Sequence, residues 1–401
     1  MTTLRTAAQL CEHGYVRSER RQAIAEVTAR YAVALPVSLA DLIDRSDPND
    51  PIARQFVPDS AELDHRAEEL VDPIGDDVHS PVEGIVHRYP DRVLLKLTHI
   101  CAVYCRFCFR REMVGPDKPT GLSQAALAAA LDYIRSQSQI WEVILTGGDP
   151  LILSPRRLRA VMKSLAAIDH VKVVRIHTRM PVAEPARVTA NLVRAIKIKS
   201  KPTYIAVHVN HPRELTARAR EACARIADAG IPLLSQTVLL AGVNDTPDVM
   251  DKLMRALVEC RIKPYYLHHG DLAPGTGHLR TDIATGQALM RSLRGRASGL
   301  CQPTYVLDIP GGHGKSPIGP SYVKRCGTDG TQSVVEDFNG AQHRYPMRYN
   351  QFRKDRMSSR AAATARLAKP IKTTAITACQ TKTTSRRRAS PTCLFLITIM
   401  A

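Results

Sequence analysis

Three cysteines lie within eight residues of this chain, in the stretch Cys101-Ala-Val-Tyr-Cys105-Arg-Phe-Cys108. Thiolates at the spacing CxxxCxxC can each hold one iron of a 4Fe–4S cluster, which leaves the fourth iron open to a small molecule. Zinc is the alternative. Structural zinc takes four ligands in a closed tetrahedron, usually from paired knuckles, and no second knuckle follows, although His99 is near. Other reactive residue types recur downstream: Gly147-Gly148-Asp149, His208 with Asn210, Gln236, Asp271, and Asp308 with Lys315. Lys315 stands in the Gly-rich stretch PGGHGKSP, where backbone can approach a flat ring. GHGKS also resembles the end of a phosphate-binding P-loop. That motif needs Gly at position 309, where this chain has Ile309, and it should open a helix, whereas Pro317 follows almost at once. Cys223 and Cys260 fall in helical segments as small core residues. Cys11, Cys301, Cys326, Cys379 and Cys393 form no pattern.

These residues need elements to position them. Residues 1 to about 85 read as a mainly helical extension with Pro-containing breaks such as Asp47-Pro48-Asn49-Asp50-Pro51. From Arg92 the pattern becomes strand, helix, strand: RVLLKLT, VILTGG, VKVVRIHT, TYIAVHVN, IPLLSQTVLL, KPYYLHHG and TYVLDIP are the strands. Helical segments lie between most of them. SQAALAAALDYIRSQ begins at Ser123, SPRRLRAVMKSLAAI has Ser154 as N-cap and Pro155 at the first helical position, and TARAREACARIADAG closes on Gly230. Such alternation implies parallel strands joined by crossovers. Six or seven units predict an α/β fold, a partial (β/α) barrel with an N-terminal extension. In barrels the chemistry gathers at the C-terminal ends of the strands. The cysteine triplet, the Gly-Gly-Asp turn, His208, Asp271 and Asp308 all fall there.

The formal net charge of +18 raises the question of a nucleic-acid partner. Between Met347 and Ala401 there are 12 Lys or Arg and one acid, so +11 of the charge sits in that tail. The other 346 residues carry +7, which is weak support for nucleic acid or an anionic membrane surface. The tail is rich in Ala, Thr, Ser, Lys and Arg without period, so disorder is the expectation there. No stretch reaches the roughly 20 apolar residues of a membrane span, and MTTLRTAAQLCEHG lacks the apolar core of a signal peptide. A cytoplasmic protein with reduced thiols is expected. The expected organisation is 1–85 extension, 86–323 barrel, 324–346 a C-terminal segment, and 347–401 a basic tail.

The loop CAVYCRFC, with Phe107 before its last cysteine, resembles the radical S-adenosylmethionine superfamily motif, and LTGGDPL resembles the segment that meets the amino group of S-adenosylmethionine. From about His79 to Val323 the chain is similar to the lysine 2,3-aminomutase family. HRYPDRVLLKLT, CRFCFRRE, VHVNHPRELT, SQTVLLAGVND, PYYLHHGDLAPGTGHLRT and YVLDIPGGHGKSP match its pattern in order. The resemblance implies a 4Fe–4S cluster on Cys101, Cys105 and Cys108, S-adenosylmethionine and pyridoxal phosphate as cofactors. Lys315 then falls on the lysine that binds pyridoxal phosphate covalently, and Arg88 and Arg92 on the arginines that hold its phosphate. Arg110 falls on the arginine for the substrate's α-carboxylate, with Arg111 beside it. Asp271 and Asp308 fall on the two carboxylates that receive the substrate's ε-ammonium. Gly147, Gly148, Asp149, His208 and Gln236 fall on the S-adenosylmethionine site. The implied activity moves the amino group of L-lysine from C2 to C3 with a 5′-deoxyadenosyl radical, fed by an electron donor such as flavodoxin or ferredoxin, in a homo-oligomer. The clostridial type ends in a cysteine-rich, zinc-binding segment that this chain lacks, which puts that zinc in doubt.

The residue types suit those roles. A lysine that attacks a carbonyl must lose its proton, which burial or a cationic neighbour favours. Asp308 lies between an apolar strand and Pro310, where a lone carboxylate is costly, so a cationic partner is expected, and a substrate ammonium would suffice. Taken singly, Arg88 and Arg92 have a second reading as surface arginines, Asp271 as a turn residue and His208 as a core histidine. Three other functions remain in play: action on a lysine of elongation factor P, action on another amino acid such as glutamate, and a non-enzymatic iron–sulfur or nucleic-acid-binding protein. Two carboxylates at the distal end of the substrate argue against glutamate.

Overall fold

The computed structural model describes residues 3–118, 120–326 and 332–346. The expected disordered tail, 347–401, lies outside them, as do Cys379 and Cys393. The chain divides into two compact units, and the larger runs to Lys324 and takes in Val335–His343.

The centre of this larger unit is a nine-stranded sheet in the order β1 to β9: β1 Ile85–Tyr89, β2 Arg92–Thr98, β3 Glu142–Gly147, β4 Val173–Thr178, β5 Thr203–His208, β6 Leu233–Val238, β7 Ile262–His268, β8 Thr304–Ile309 and β9 Gly314–Pro317. Strands β2 to β8 are parallel neighbours in sequence order. β1 and β9 are antiparallel additions at the two edges. The predicted partial barrel is therefore seven parallel strands. Sequence pattern did not reveal β9, because its residues read as a Gly-rich loop. Gly311 and Gly312 both adopt positive φ, open to glycine at little cost, and they turn the chain back along β8. Lys315 thus sits on a strand, directly opposite Asp308.

The crossovers are helices Gln124–Ser136, Pro155–Ala166, Ala190–Ile196, Ala217–Asp228, Pro247–Glu259 and Ile283–Leu293. Local chemistry sets their ends. Ser123 accepts from the backbone N–H of Ala126, and Ser154 from that of Arg157 with Pro155 at the first position. Gly230, at φ 77°, carries the chain out of the fourth of these helices.

Side chains alternate across a strand, so each strand presents two faces. One face is apolar. Leu95, Leu145, Ile176, Ile205, Leu233 and Ile262 stand in register across six strands, all buried in the core beneath the helices. The other face bears Glu142, Ile144, Thr146, Arg175, His177, His208, Gln236, His268 and Asp308, which surround a central cavity. Chemistry-bearing residues thus share the inner face, and the apolar face holds the fold.

Residues before β1 are less helical than their pattern suggests. Helices Ala7–Glu12 and Arg21–Arg30 are followed by single turns and irregular chain. Asp and Pro between 41 and 81 favour caps and turns over helix continuation. Asp50, for instance, accepts from the N–H groups of Ile52 and Ala53. Residues 70–79 run beside two loops at the strand ends: Leu70 N–H donates to the Leu272 carbonyl at 2.8 Å, and His79 Nε2 is 2.9 Å from the Gly312 carbonyl. A Cβ at Gly75 would lie 2.5 Å from the Gly312 nitrogen, so this contact requires glycine.

Candidate active site

The cysteine loop follows β2. Cys101, Cys105 and Cys108 all line the central cavity as free thiols. Burial raises all three, Cys108 up to about 11, so metal must displace protons to bind there. Among the described residues no three His, Cys, Asp or Glu side chains converge on a point that could hold one metal ion. Three cysteines on one loop, each able to give one thiolate to one iron, are a donor set that fits an iron–sulfur cluster. The loop is clamped by two layers of arginine. Arg106 and Arg111 both reach the buried Glu62 carboxylate from the N-terminal segment. Arg179, after β4, donates to Cys105 Sγ at 3.3 Å, to Gln55 Oε1 at 2.9 Å and to Glu214 at 2.5 Å.

Gly147 and Gly148 end β3 against this loop. A Cβ at Gly147 would lie 2.4 Å from the Thr98 carbonyl, and at Gly148 2.3 Å from the Ile100 carbonyl. Glycine alone lets this backbone close on the residues just before Cys101, which makes a cradle beside the thiols. Asp149 lines the cavity, and its carboxylate is also held within the protein. Both its oxygens are taken by the Thr178 hydroxyl at 2.7 and 2.9 Å and by the N–H groups of Arg179 and Leu151. Its carboxylate anchors the turn, and the cradle's backbone faces the cavity. His208 ends β5, with its ring 5.5 Å from Phe107 and Nε2 3.2 Å from Asn210 Oδ1. Burial holds its pKa well below the usual histidine value, so it is neutral.

Elsewhere in the cavity lining, Lys315 Nζ lies 2.6 and 2.7 Å from the two Asp308 oxygens. The cationic partner expected for Asp308 is thus Lys315 of the same chain. Burial pushes the Asp308 carboxyl up, but His268 at 3.5 Å and the charge of Lys315 outweigh it and hold it well below the usual range. Asp271, in the loop after β7, shifts the other way: burial, then the charge of Asp308, pushes it up to about 7. Tyr89 Oη accepts from the Lys315 backbone N–H at 2.6 Å and links β9 to β1. Arg88 on β1 reaches the Ile74 carbonyl at 2.5 Å and Asp76 at 3.2 Å, while its buried Nε has no partner among the described residues. A buried cation with a free donor fits a phosphate. Arg92 lies 3.8 Å over the Tyr89 ring and 2.6 Å from Asp91.

The fourteen residues to which the resemblance gives a cofactor or substrate role all stand on the wall of one cavity of about 500 Å³. Sequence reasoning missed Asp76. Its buried carboxylate accepts from Arg110 Nε and Nη2, each at 2.8 Å, and from Arg88. No motif marks it; it comes from the irregular N-terminal segment. Arg179 was within reach, since it follows β4 where the strand-end rule applies. His268 and His177, inner-face residues of β7 and β4, were hidden inside strands that read as apolar.

Residues 95–253 match the family described as Radical SAM superfamily, and residues 290–383 the family described as Lysine-2,3-aminomutase. L-lysine 2,3-aminomutase of Clostridium subterminale is 40% identical over 86% of this chain and 83% of its own length. The enzyme of the same name from Acetoanaerobium sticklandii is 41% identical over 84% and 80%. Glutamate 2,3-aminomutase of Clostridioides difficile is 39% identical over 78% and 73%.

Proposed function

The chain belongs to the lysine 2,3-aminomutase family of radical S-adenosylmethionine enzymes, and from that premise we infer how its residues serve the reaction. The protein is an isomerase that moves the amino group of L-lysine from C2 to C3, with a 4Fe–4S cluster, S-adenosylmethionine and pyridoxal phosphate as cofactors. When bound, these groups supply a carbon radical that abstracts hydrogen and a conjugated carrier for the migrating nitrogen.

Everything else is positioning. Cys101, Cys105 and Cys108 hold the cluster, and Arg179, donating to Cys105, offsets thiolate charge in a buried setting. The backbone at Gly147 and Gly148 meets the amino group of S-adenosylmethionine, with His208 and Gln236 beside it. Lys315 Nζ carries pyridoxal phosphate, and Arg88 and Arg92 take its phosphate. Arg110 presents the donors that Asp76 leaves free to the α-carboxylate of lysine. Asp271 and Asp308 receive the ε-ammonium. A substrate fixed at both ends has its C3 placed by the span between them, which confers the advantage of a reaction within one complex. Burial of the cavity keeps water from the reacting carbon. The same reading takes flavodoxin or ferredoxin as electron donor, a homo-oligomer as the assembled form, and the cytoplasm as its place. Among the described residues no helix is long and apolar enough to cross a membrane.

The observation that carries lysine over glutamate is the pair Asp271 and Asp308 on one wall of the cavity. An acidic side chain placed there would meet like charge. A site built around a buried charge pair rejects an analogue lacking the partner by roughly 10⁴-fold. Norleucine is therefore expected to be a very poor substrate, and Asp308→Asn to cost about 3–5 kcal/mol in handling lysine with S-adenosylmethionine binding preserved. Norleucine turning over as fast as lysine would overturn this assignment.

A further inference from the structure

Lys315 has two claims on it. Its amine is the partner of Asp308 at 2.6 Å, and it is also the amine that pyridoxal phosphate takes. While the cofactor holds that nitrogen, before the substrate's amino group displaces it, Asp308 lacks its free lysine partner as the substrate arrives. A buried carboxylate needs another donor then, or it shifts or takes up a proton.

Such a donor stands on the neighbouring strand. His268, buried on the inner face of β7, places Nδ1 3.5 Å from Asp308 Oδ2. On its far side the side-chain nitrogen of Gln236, on β6, lies 3.4 Å from His268 Nε2. In this orientation the Gln236 amide donates to Nε2, which leaves the imidazole proton on Nδ1, the ring nitrogen that faces Asp308. Burial also lowers the His268 pKa, which leaves a neutral ring with one proton to give. The remaining charged groups around this pair are Arg88, with Nη1 4.0 Å from Asp308, and Asp271, whose carboxyl feels the Asp308 charge. Lys315 and Arg175 act on the ring of His177, which faces the same space from β4. Arg88 is farther from Asp308, at 4.0 Å, than His268 is, at 3.5 Å.

We infer that His268 is a positioning residue that, with its tautomer set by Gln236, holds Asp308 in place while pyridoxal phosphate occupies Lys315, so that the carboxylate is ready when the substrate ammonium arrives. The inference rests on the reading of Asp308 as an ammonium-binding group.

The test is equilibrium binding of L-lysine to the protein loaded with pyridoxal phosphate, followed by the visible band of the cofactor, without S-adenosylmethionine. Loss of a hydrogen bond to a charged group is worth about 10- to 100-fold, so H268A should weaken lysine binding by that factor. H268N, whose side-chain amide can donate to Asp308, should recover most of it. In a D308N background, H268A should cost nothing further, because the group it positions is gone. Norleucine, with no ε-ammonium, should bind parent and H268A alike. Equal losses for H268A in both backgrounds, or equal losses for lysine and norleucine, would show a general packing role and overturn the inference. H268A binding lysine like the parent, while D308N binds it weakly, overturns it too. D308N binding lysine like the parent instead refutes the reading of Asp308 from which the inference starts.

Discussion

Asp271 provides a quantitative test of the ammonium site through pH. Burial and the neighbouring Asp308 charge push its carboxyl up to about 7. Below that pH it is protonated and neutral; above it, ionised. The substrate ammonium gains an ion pair only with the ionised form, so affinity for the ε-ammonium rises as pH rises through 7. With a titration near 7, the ionised fraction climbs from about one tenth at pH 6 to about nine tenths at pH 8. The dissociation constant for lysine should therefore fall up to about tenfold over that interval. The substrate's α-amino group also titrates with pH, but norleucine carries the same group, so the ratio of norleucine to lysine dissociation constants isolates the distal end. That ratio, measured through the visible band of bound pyridoxal phosphate, should rise up to about tenfold from pH 6 to 8. In D271N it should be flat. A flat ratio in the parent, or a rise that survives in D271N, would refute the assignment of Asp271.

Asp76 holds Arg88 and Arg110 together, so D76N should weaken retention of pyridoxal phosphate on desalting and binding of lysine alike, each by about tenfold; a loss in one alone would show that it serves only one arginine. Borohydride treatment of the pyridoxal phosphate form should fix the cofactor to the peptide containing Lys315, and labelling of another lysine would refute that role. Replacing Cys101, Cys105 or Cys108 by Ala should abolish reductive cleavage of S-adenosylmethionine, with iron analysis of the anaerobically reconstituted parent giving four irons per chain. Full cleavage by such a variant, or a parent loaded only with zinc, would contradict the cluster.

Much of the site is legible in sequence because its chemistry is tied to periodicity. Strands of period two with helices between them fix a parallel sheet, and that fixes which loops share an end. Hence CAVYCRFC, the Gly147-Gly148 turn and the residues from His208 to Asp308 can be placed together from their positions along the chain. The rest depends on contacts that no local pattern encodes. Asp76 and Glu62 are acids in an irregular stretch, and only tertiary packing brings them beneath Arg110 and Arg106. β9 was hidden because a Gly-Gly turn and a strand of four residues leave no alternation to read. The Lys315–Asp308 pair follows from that antiparallel register and could not be read without it. The anchoring of the Asp149 carboxylate by Thr178 was not legible either, because an acid in a turn facing a ligand and an acid anchoring that turn look the same in sequence.

The central claim is that this cavity isomerises free L-lysine. The direct measurement is anaerobic product analysis of the reconstituted, reduced protein with S-adenosylmethionine and pyridoxal phosphate, offered L-lysine, L-glutamate and elongation factor P in parallel. The expected result is β-lysine from L-lysine and no change in the other two. Modification of elongation factor P alone, or of glutamate in preference to lysine, would contradict it.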